Sequence, residues 1–289
     1  MSFKEYRDVI KENDAVILYL GFDNMLTLKL EKGKTHQTRY GAMKHDDVIG
    51  RNFGSKIQCA NGFLHVLHPT PELWTLNLPH RTQILYATDI SMVIMQLDLK
   101  PGSVVIESGT GSGSLSHSII RTIAPTGHLY TFEFHEQRAE KAKDEFEEHE
   151  ISEYVTVEHR DVCNNGFGKT AVADAVFLDL PAPWSAIPHA KVAMKSQGRI
   201  CSFSPCIEQV QTSCETLAAN GFTDIVTIEC LVRLYDVKEL NIPQTSLVEK
   251  DKLADSADSS NMTKMTVSVP QTVMPGHTGY LTFATLFSK

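Results

Sequence analysis

The fold of this chain turns on one stretch, Ser103-Val104-Val105-Ile106-Glu107, continued by Ser108-Gly109-Thr110-Gly111-Ser112-Gly113-Ser114-Leu115. An apolar run of strand length comes first, three alternating glycines follow, and Leu115, Ile119, Ile120 and Ile123 then recur at helical spacing. Strand, glycine loop and helix in that order bring backbone N–H groups and a helix N-terminus close to a ligand, since glycine has no Cβ to block the approach.

The alternation continues downstream. His128 to Phe134 is expected as a second strand ending in Glu133, and a helix from about Glu136 to His149 turns Ala139, Ala142 and Phe146 inward. Val155 to His159, leading to Asp161-Val162, and Ala173 to Asp179 are the third and fourth strands. Arg199 to Phe203 is the fifth. Ser204-Pro205 then reads as an N-cap with proline at the first helical position, opening a helix that buries Ile207, Val210, Cys214 and Leu217. Thr223 to Glu229 makes a sixth strand, and Thr278 to Thr285 a last one at the sheet edge. Apolar runs separated by helices are the signature of a parallel sheet. Between them, residues of about 241–276 are polar, weakly periodic and Ser/Thr/Asp-rich, which reads as a flexible insertion.

Upstream the period changes to two. Leu26 to Leu30, Lys56 to Cys59 and Phe63 to Leu67 alternate apolar and polar residues, with Asn61-Gly62 as a tight turn between the last two, so a small antiparallel barrel or sandwich is expected. The chain accordingly divides into an N-terminal β-rich domain, 1–80, and a second domain, 81–289. Charge follows the same division: 27 Lys+Arg against 35 Asp+Glu give −8 overall, but residues 1–80 carry +1 and the rest −9. An acidic balance of this kind disfavours gripping a polyanion unaided.

A composition 42% apolar supports a full core, while the longest apolar stretch, Ala15 to Leu20, is far short of the roughly 20 residues of a membrane span. Met1 to Asp14 alternates charges where a signal peptide would be apolar, so a cytosolic or nuclear protein is expected. Six cysteines without a C-x-x-C pair indicate neither a zinc site nor a disulfide framework, and Cys201 and Cys206 have no base beside them that would make a nucleophile.

The ligand of the glycine loop is narrowed by the acids around it. Glu107, closing the first strand, suits a ligand with an ammonium group and repels a pyrophosphate, and the dinucleotide fingerprint would need glycine where Ser114 stands. Glu133 can take both ribose hydroxyls of an adenosine moiety, and Asp161 is placed for an adenine amino group. Together these features describe S-adenosylmethionine at the C-terminal ends of parallel strands.

Three segments carry a family resemblance: Glu107 to Ser114, His80-Arg81-Thr82-Gln83-Ile84-Leu85-Tyr86, and Asp179-Leu180-Pro181-Ala182-Pro183-Trp184. Together they resemble the tRNA adenosine-58 N1-methyltransferases, most closely the catalytic subunit of the eukaryotic enzymes, over nearly the whole chain. The resemblance implies a Rossmann-like S-adenosylmethionine-dependent methyltransferase domain with a mostly parallel seven-stranded sheet, behind a small N-terminal antiparallel β domain. It implies cofactor contacts at Gln83, Leu85, Ser108, Gly109, Thr110, Gly111, Ser112, Gly113, Ser114, Leu115, Glu133, Arg138, Asp161, Val162 and Asp179. Asp179 is the expected catalytic residue, Arg81 and Thr82 are expected at the substrate, and Ser204 and Pro205 at the exit of the fifth strand are expected to line the base pocket. The partners it implies are tRNA and a related non-catalytic subunit in a heterotetramer, in the nucleus, with no metal and no membrane. His36, His45, His65, His68 and His80 lack metal-ligand spacing and read as surface or RNA-facing residues, and Trp184 reads as a core residue.

Asp179 is singled out because adenine N1 becomes cationic on methylation. A carboxylate beside the N1/N6 edge accepts from the exocyclic amine and stabilises that charge, and Pro181 and Pro183 stiffen the loop that presents it. Two other readings share parts of the pattern: an isoaspartyl carboxyl methyltransferase, which does not need the D-x-P-x-P-W run, and a non-catalytic RNA-binding subunit, in which the glycine loop and Asp179 would be expected to decay.

Overall fold

The computed structural model describes residues 3, 6–21, 24–78, 84–243 and 262–287. In chain order the strands and helices of the first half are β1 (Ala15–Gly21), β2 (Asn24–Lys29), β3 (Thr35–Thr38), β4 (Gly41–Lys44), β5 (Lys56–Cys59), β6 (Gly62–Leu67), α1 (Pro71–Asn77), α2 (Ala87–Gln96), β7 (Val104–Ser108), α3 (Ser114–Ile123), β8 (His128–Glu133) and α4 (Glu136–Glu148). Then follow β9 (Val155–His159), α5 (Val162–Asn165), β10 (Ala173–Asp179), α6 (Pro183–Ala193), β11 (Met194–Ser204), α7 (Ile207–Ala219), β12 (Phe222–Glu229), β13 (Tyr235–Pro243), β14 (Met262–Pro270) and β15 (Tyr280–Leu286). Two compact units result, one of residues 1–229 with 279–289 and one of residues 230–278.

The N-terminal residues form a four-stranded antiparallel sheet ordered β2-β1-β6-β5, with β3-β4 as a separate hairpin. Its centre is β1, which the period-two reading passed over. Val16 and Leu18 pack with Leu30, Leu64 and Val66 in one apolar core, while Ile17 on the opposite face is equally buried. A strand covered on both faces shows a continuous apolar run rather than alternation, so its sequence carries no half-buried signature. His45, read as a surface residue, is buried: its Nδ1 accepts the Glu31 backbone N–H at 2.9 Å.

Seven strands ordered β12-β15-β11-β10-β7-β8-β9 make the main sheet. The pairs β7–β8, β8–β9, β7–β10 and β10–β11 are parallel, and β15 alone runs antiparallel to its neighbours. The last strand is therefore inserted between β11 and β12, and β12 forms the edge that the sequence reading gave to it. Helix α4 buries Ala139, Ala142 and Phe146 as its spacing requires. Strand order reverses between β7 and β10, and a crevice opens at the carboxyl ends of those two strands, where open α/β sheets bind ligands.

Three local expectations are corrected. Helix α7 is capped by Cys206, with Gln209 closing a capping box, and starts two residues later than a Ser204-Pro205 cap would set it, because β11 runs on through Ser204. The shift turns Ile207 outward and leaves Cys214 half-buried, while Val210, Ser213 and Leu217 face the core. In the second unit, β14 falls within the stretch of about 241–276 expected to be irregular and pairs over nine residues with β13, whose last three residues also fall in it. Their apolar side chains, Val237, Leu240, Met262 and Met265 among them, are exposed, so the alternation that marks a half-buried strand never arises.

Candidate active site

Residues after β7 and after β10 meet at the crevice because the two strands pair in register, Ser108 opposite Leu178. That register sets Gly109 against Asp179. With φ at +94°, a Cβ on Gly109 would lie 2.2 Å from the Asp179 carbonyl oxygen, so only glycine allows the loop to pass. The loop then hangs on β8 through Gly109 N–H to the Phe132 carbonyl at 2.9 Å, and closes on itself through Gly113 N–H to the Thr110 carbonyl at 2.8 Å. Gly113, with φ at 73°, is the N-cap of α3.

A cavity of about 480 Å³ fills the crevice, within the usual range of small-molecule sites. Of the residues expected at a cofactor, Leu85, Ser108, Gly109, Thr110, Gly111, Ser112, Ser114, Leu115, Glu133, Arg138, Asp161, Val162 and Asp179 line it. Gly113 does not, and neither do Ser204 and Pro205: the Ser204 hydroxyl is buried without a hydrogen-bond partner among the described residues, and Pro205 lies exposed beyond β11. Arg81, Thr82 and Gln83 lie outside the described residues. Trp184 packs half-buried against the core of the main sheet, as expected of a core residue. The sequence reading missed Phe134, His135, Arg160, Cys163 and Leu180 as lining residues. Each stands one or two positions from a residue that was chosen, so the signal available was adjacency to a strand's carboxyl end.

The acids at the cavity are held differently from one another. Glu107 is fully buried, and its Oε2 accepts from Ser116 Oγ at 2.6 Å and Thr131 Oγ1 at 2.7 Å. Burial pushes its carboxyl up to about 7 against those two bonds, with Asp179 and Glu133 adding repulsion. Glu133 is anchored: Oε1 accepts from Arg138 Nε at 2.9 Å and from the His135 N–H at 3.1 Å, and Oε2 from the Gly111 N–H at 3.1 Å. Arg138 thus fixes the carboxylate expected at the ribose and lines the cavity beside it. Asp161 caps α5, accepting from the Cys163 and Asn164 N–H groups and from Asn164 Nδ2, and those bonds, the Asn164 side chain first, hold it below the usual carboxylate range. Asp179 has no side-chain hydrogen-bond partner among the described residues. Burial and then the Glu133 charge push it up to about 6.

The raised Glu107 has a measurable consequence. A carboxyl at about 7 in the folded protein and near 4.5 unfolded binds its proton more tightly when folded, so stability falls as pH rises from about 4.5 to 7 and stays low above. Glu107→Gln keeps an acceptor for Ser116 and Thr131 and removes the buried charge. We expect it to stabilise the ligand-free protein by about 2 kcal/mol at pH 8 and to flatten the fall in melting temperature between pH 5 and 8, read by thermal unfolding across that range.

Among the described residues no group of His, Cys, Asp and Glu side chains could hold a metal ion, and no helix is long and apolar enough to cross a membrane. The family model described as tRNA methyltransferase complex GCD14 subunit matches residues 62–286, and one described as TrmI-like N-terminal matches residues 22–57. The chain is 45% identical to the tRNA (adenine(58)-N(1))-methyltransferase catalytic subunit trmt61a of Dictyostelium discoideum, over 96% of each chain. Among solved structures it is similar to a SAM-dependent O-methyltransferase from Thermotoga maritima (28% identity, TM-score 0.80, 98% of this chain and 96% of that one). It shares its fold with the tRNA (m1A58) methyltransferase TrmI from Aquifex aeolicus (23% identity, TM-score 0.75, 98% of this chain and 100% of that one).

Proposed function

The chain belongs to the family of the tRNA methyltransferase complex GCD14 subunit, and from that premise we propose that it is the catalytic subunit that methylates N1 of adenosine 58 in tRNA, using S-adenosylmethionine. One observation carries the reading to this site: the glycine loop and Asp179, a carboxylate without a hydrogen-bond partner among the described residues, meet at a single cavity through the β7–β10 register. The residues fit the cofactor. Gly109 lets the loop pass against the Asp179 backbone where any Cβ would clash, and Glu107, Glu133 and Asp179 give the cavity the sign that suits a sulfonium and an ammonium group.

S-adenosylmethionine supplies a methyl group already activated on a sulfonium, to be displaced in line. The protein's part is to position and to manage charge. Glu133, locked by Arg138 and the Gly111 N–H, offers Oε2 to the ribose, while Leu85, Val162 and Leu115 give apolar walls. Asp179 accepts from the N6 amine of the adenine and stabilises the positive charge that N1 acquires. The base is stacked in folded RNA and has to be extruded to arrive there. A carboxyl methyltransferase would bring its substrate carboxylate toward these three acids, which repel it, and a non-catalytic subunit has no need of an intact loop with Asp179 at the cavity wall.

For RNA contact we look to residues 1–80, the slightly basic part of the chain, and to a related basic non-catalytic subunit, the two chains forming a heterotetramer in the nucleus. Lys56 lies over the half-exposed Phe63 ring at 3.7 Å on this sheet, a pairing of charge with a stacking surface. The full chain alone is expected to bind tRNA no tighter than about 10⁻⁶ M at physiological salt, by filter binding across a salt series, with tighter binding when the partner is added. Nanomolar binding by the chain alone would contradict this division. Methylation of unmodified tRNA, alone and with the partner, mapped by primer extension, tests the activity. Absence of a stop at position 58 with both subunits present would refute it.

A further inference from the structure

On the side of Gly113 away from the cavity, α1, α3 and α4 enclose two histidine rings that the reaction does not use. His117 and His149 are both buried, with His117 Nε2 and His149 Nδ1 2.7 Å apart and His117 Nδ1 2.6 Å from the Gly113 carbonyl oxygen. A carbonyl only accepts, so the hydrogen between them sits on His117 Nδ1. In a neutral ring Nε2 is then the acceptor, and His149 Nδ1 carries the hydrogen that bonds to it. One backbone carbonyl thereby fixes both tautomers.

Both rings are neutral. Burial holds His117 well below the usual imidazole range and lowers His149 to about 4. Their surroundings are aromatic: Trp74 lies tilted against His117 with centroids 3.9 Å apart, Phe3 lies 4.9 Å from each ring, and Phe146 lies 5.3 Å from His117. Packing alone would be served there by a phenylalanine, without the cost of burying imidazole nitrogens. What the imidazoles add is directional. Gly113 is in the left-handed region and offers no side chain as a cap, and its carbonyl takes the His117 backbone N–H at 3.1 Å as well as the ring. On the other side the loop is held by Thr110 Oγ1 to Thr131 Oγ1 at 2.6 Å, and Thr131 in turn donates to Glu107.

We propose that His117, its Nδ1–H aimed at Gly113 and its Nε2 satisfied by His149, is a positioning residue that clamps the Gly113 carbonyl from outside the cavity and so holds the loop Gly109–Gly113 in its cofactor-binding shape. The proposal rests on the reading of the cavity as the S-adenosylmethionine site. His117 touches nothing in the cavity and acts only through the loop.

Two variants of the full chain separate the clamp from packing. His117→Phe keeps a ring among Trp74, Phe3 and Phe146 and loses both hydrogen bonds. His117→Asn keeps an N–H donor near the place of Nδ1 and loses the ring. Titration calorimetry with S-adenosylhomocysteine, with thermal unfolding alongside, is expected to show His117→Phe melting close to native but binding about tenfold more weakly. His117→Asn is expected to melt lower yet bind within about threefold of native, since its donor retains most of the bond's worth. Native binding by the Phe variant, or affinities that fall in step with melting temperature in both, would overturn the clamp. If the native chain itself does not bind S-adenosylhomocysteine, the reading of the cavity fails first. Side-chain ¹⁵N spectra of the native chain need no variant: a hydrogen on His117 Nδ1 at pH 7 supports the clamp, and one on Nε2 overturns it.

Discussion

Asp179→Ala is expected to lower the methylation rate by about 10³-fold while S-adenosylhomocysteine binds within about threefold of native. The separation follows from what holds the ligand and what meets the base. The loop and Glu133 are anchored by their own bonds, Gly109 to Phe132 and Glu133 to Arg138, none of which involves the Asp179 side chain. Among the described residues the carboxylate itself has no hydrogen-bond partner, and it stands at the cavity wall for the N1/N6 edge of the incoming adenine. A side chain that acts mainly on the charge developing in the transition state changes kcat more than ligand affinity. Single-turnover methylation of tRNA by the assembled enzyme, beside calorimetry on the same preparation, reads both. An Asp179→Ala enzyme that turns over normally would remove the residue from the mechanism.

The pH dependence has a fixed sign. Only the ionised form opposes the cation, and the group titrates at about 6 in the ligand-free protein. So kcat/KM should rise tenfold per pH unit up to about pH 6 and level off above it, since that ratio reports the free enzyme. A cationic cofactor beside Asp179 pulls the titration down, so kcat should level off at a lower pH than kcat/KM. Asp179→Asn keeps an acceptor oxygen and drops the charge, and its rate divides the two roles. A rate near that of the alanine variant assigns the work to charge, and one near native assigns it to the hydrogen bond.

Much of this site was legible because its parts are local in sequence. Glycine loop, Glu133, Asp161 and Asp179 each lie at the carboxyl end of a strand with a clear apolar run, and the topology then gathers such ends at one crevice. What the sequence hid depends on contacts between distant elements. Ile17 is buried on a second face that only other elements of the first unit could supply, so β1 showed no alternation. Ser204 looked like a cap because the pair Ser-Pro has that local meaning, yet β11 pairs with β15 as far as Ser204 opposite Tyr280. His117, within α3, and His149, at the C-cap of α4, stand 32 residues apart, and nothing in either neighbourhood announces that they bond.

Gly109→Ala carries the other large effect, and here the origin is steric rather than electrostatic. The new Cβ would sit 2.2 Å from the Asp179 carbonyl oxygen and 3.3 Å from its Cβ, and φ at +94° is a conformation L residues resist. The obstacle is backbone and cannot swing aside. Either the loop lifts off β10, or the end of β10 retreats and takes the catalytic carboxylate with it. Lifting the loop spoils the cradle, and a shift of about 1 Å at the reacting groups is enough for a 10²-fold loss of rate. We therefore expect Gly109→Ala to lose about 3 kcal/mol of stability and at least about 10²-fold in kcat/KM, measured by denaturant unfolding and by methylation at subsaturating cofactor. Backbone strain alone does not account for so much. Gly33, with φ at +80° and nothing within 4 Å of a built Cβ, is the control: Gly33→Ala should cost about 1 kcal/mol and leave methylation untouched. Were the two alanine variants to behave alike, the contact between Gly109 and Asp179 would not be what ties the loop to the catalytic strand.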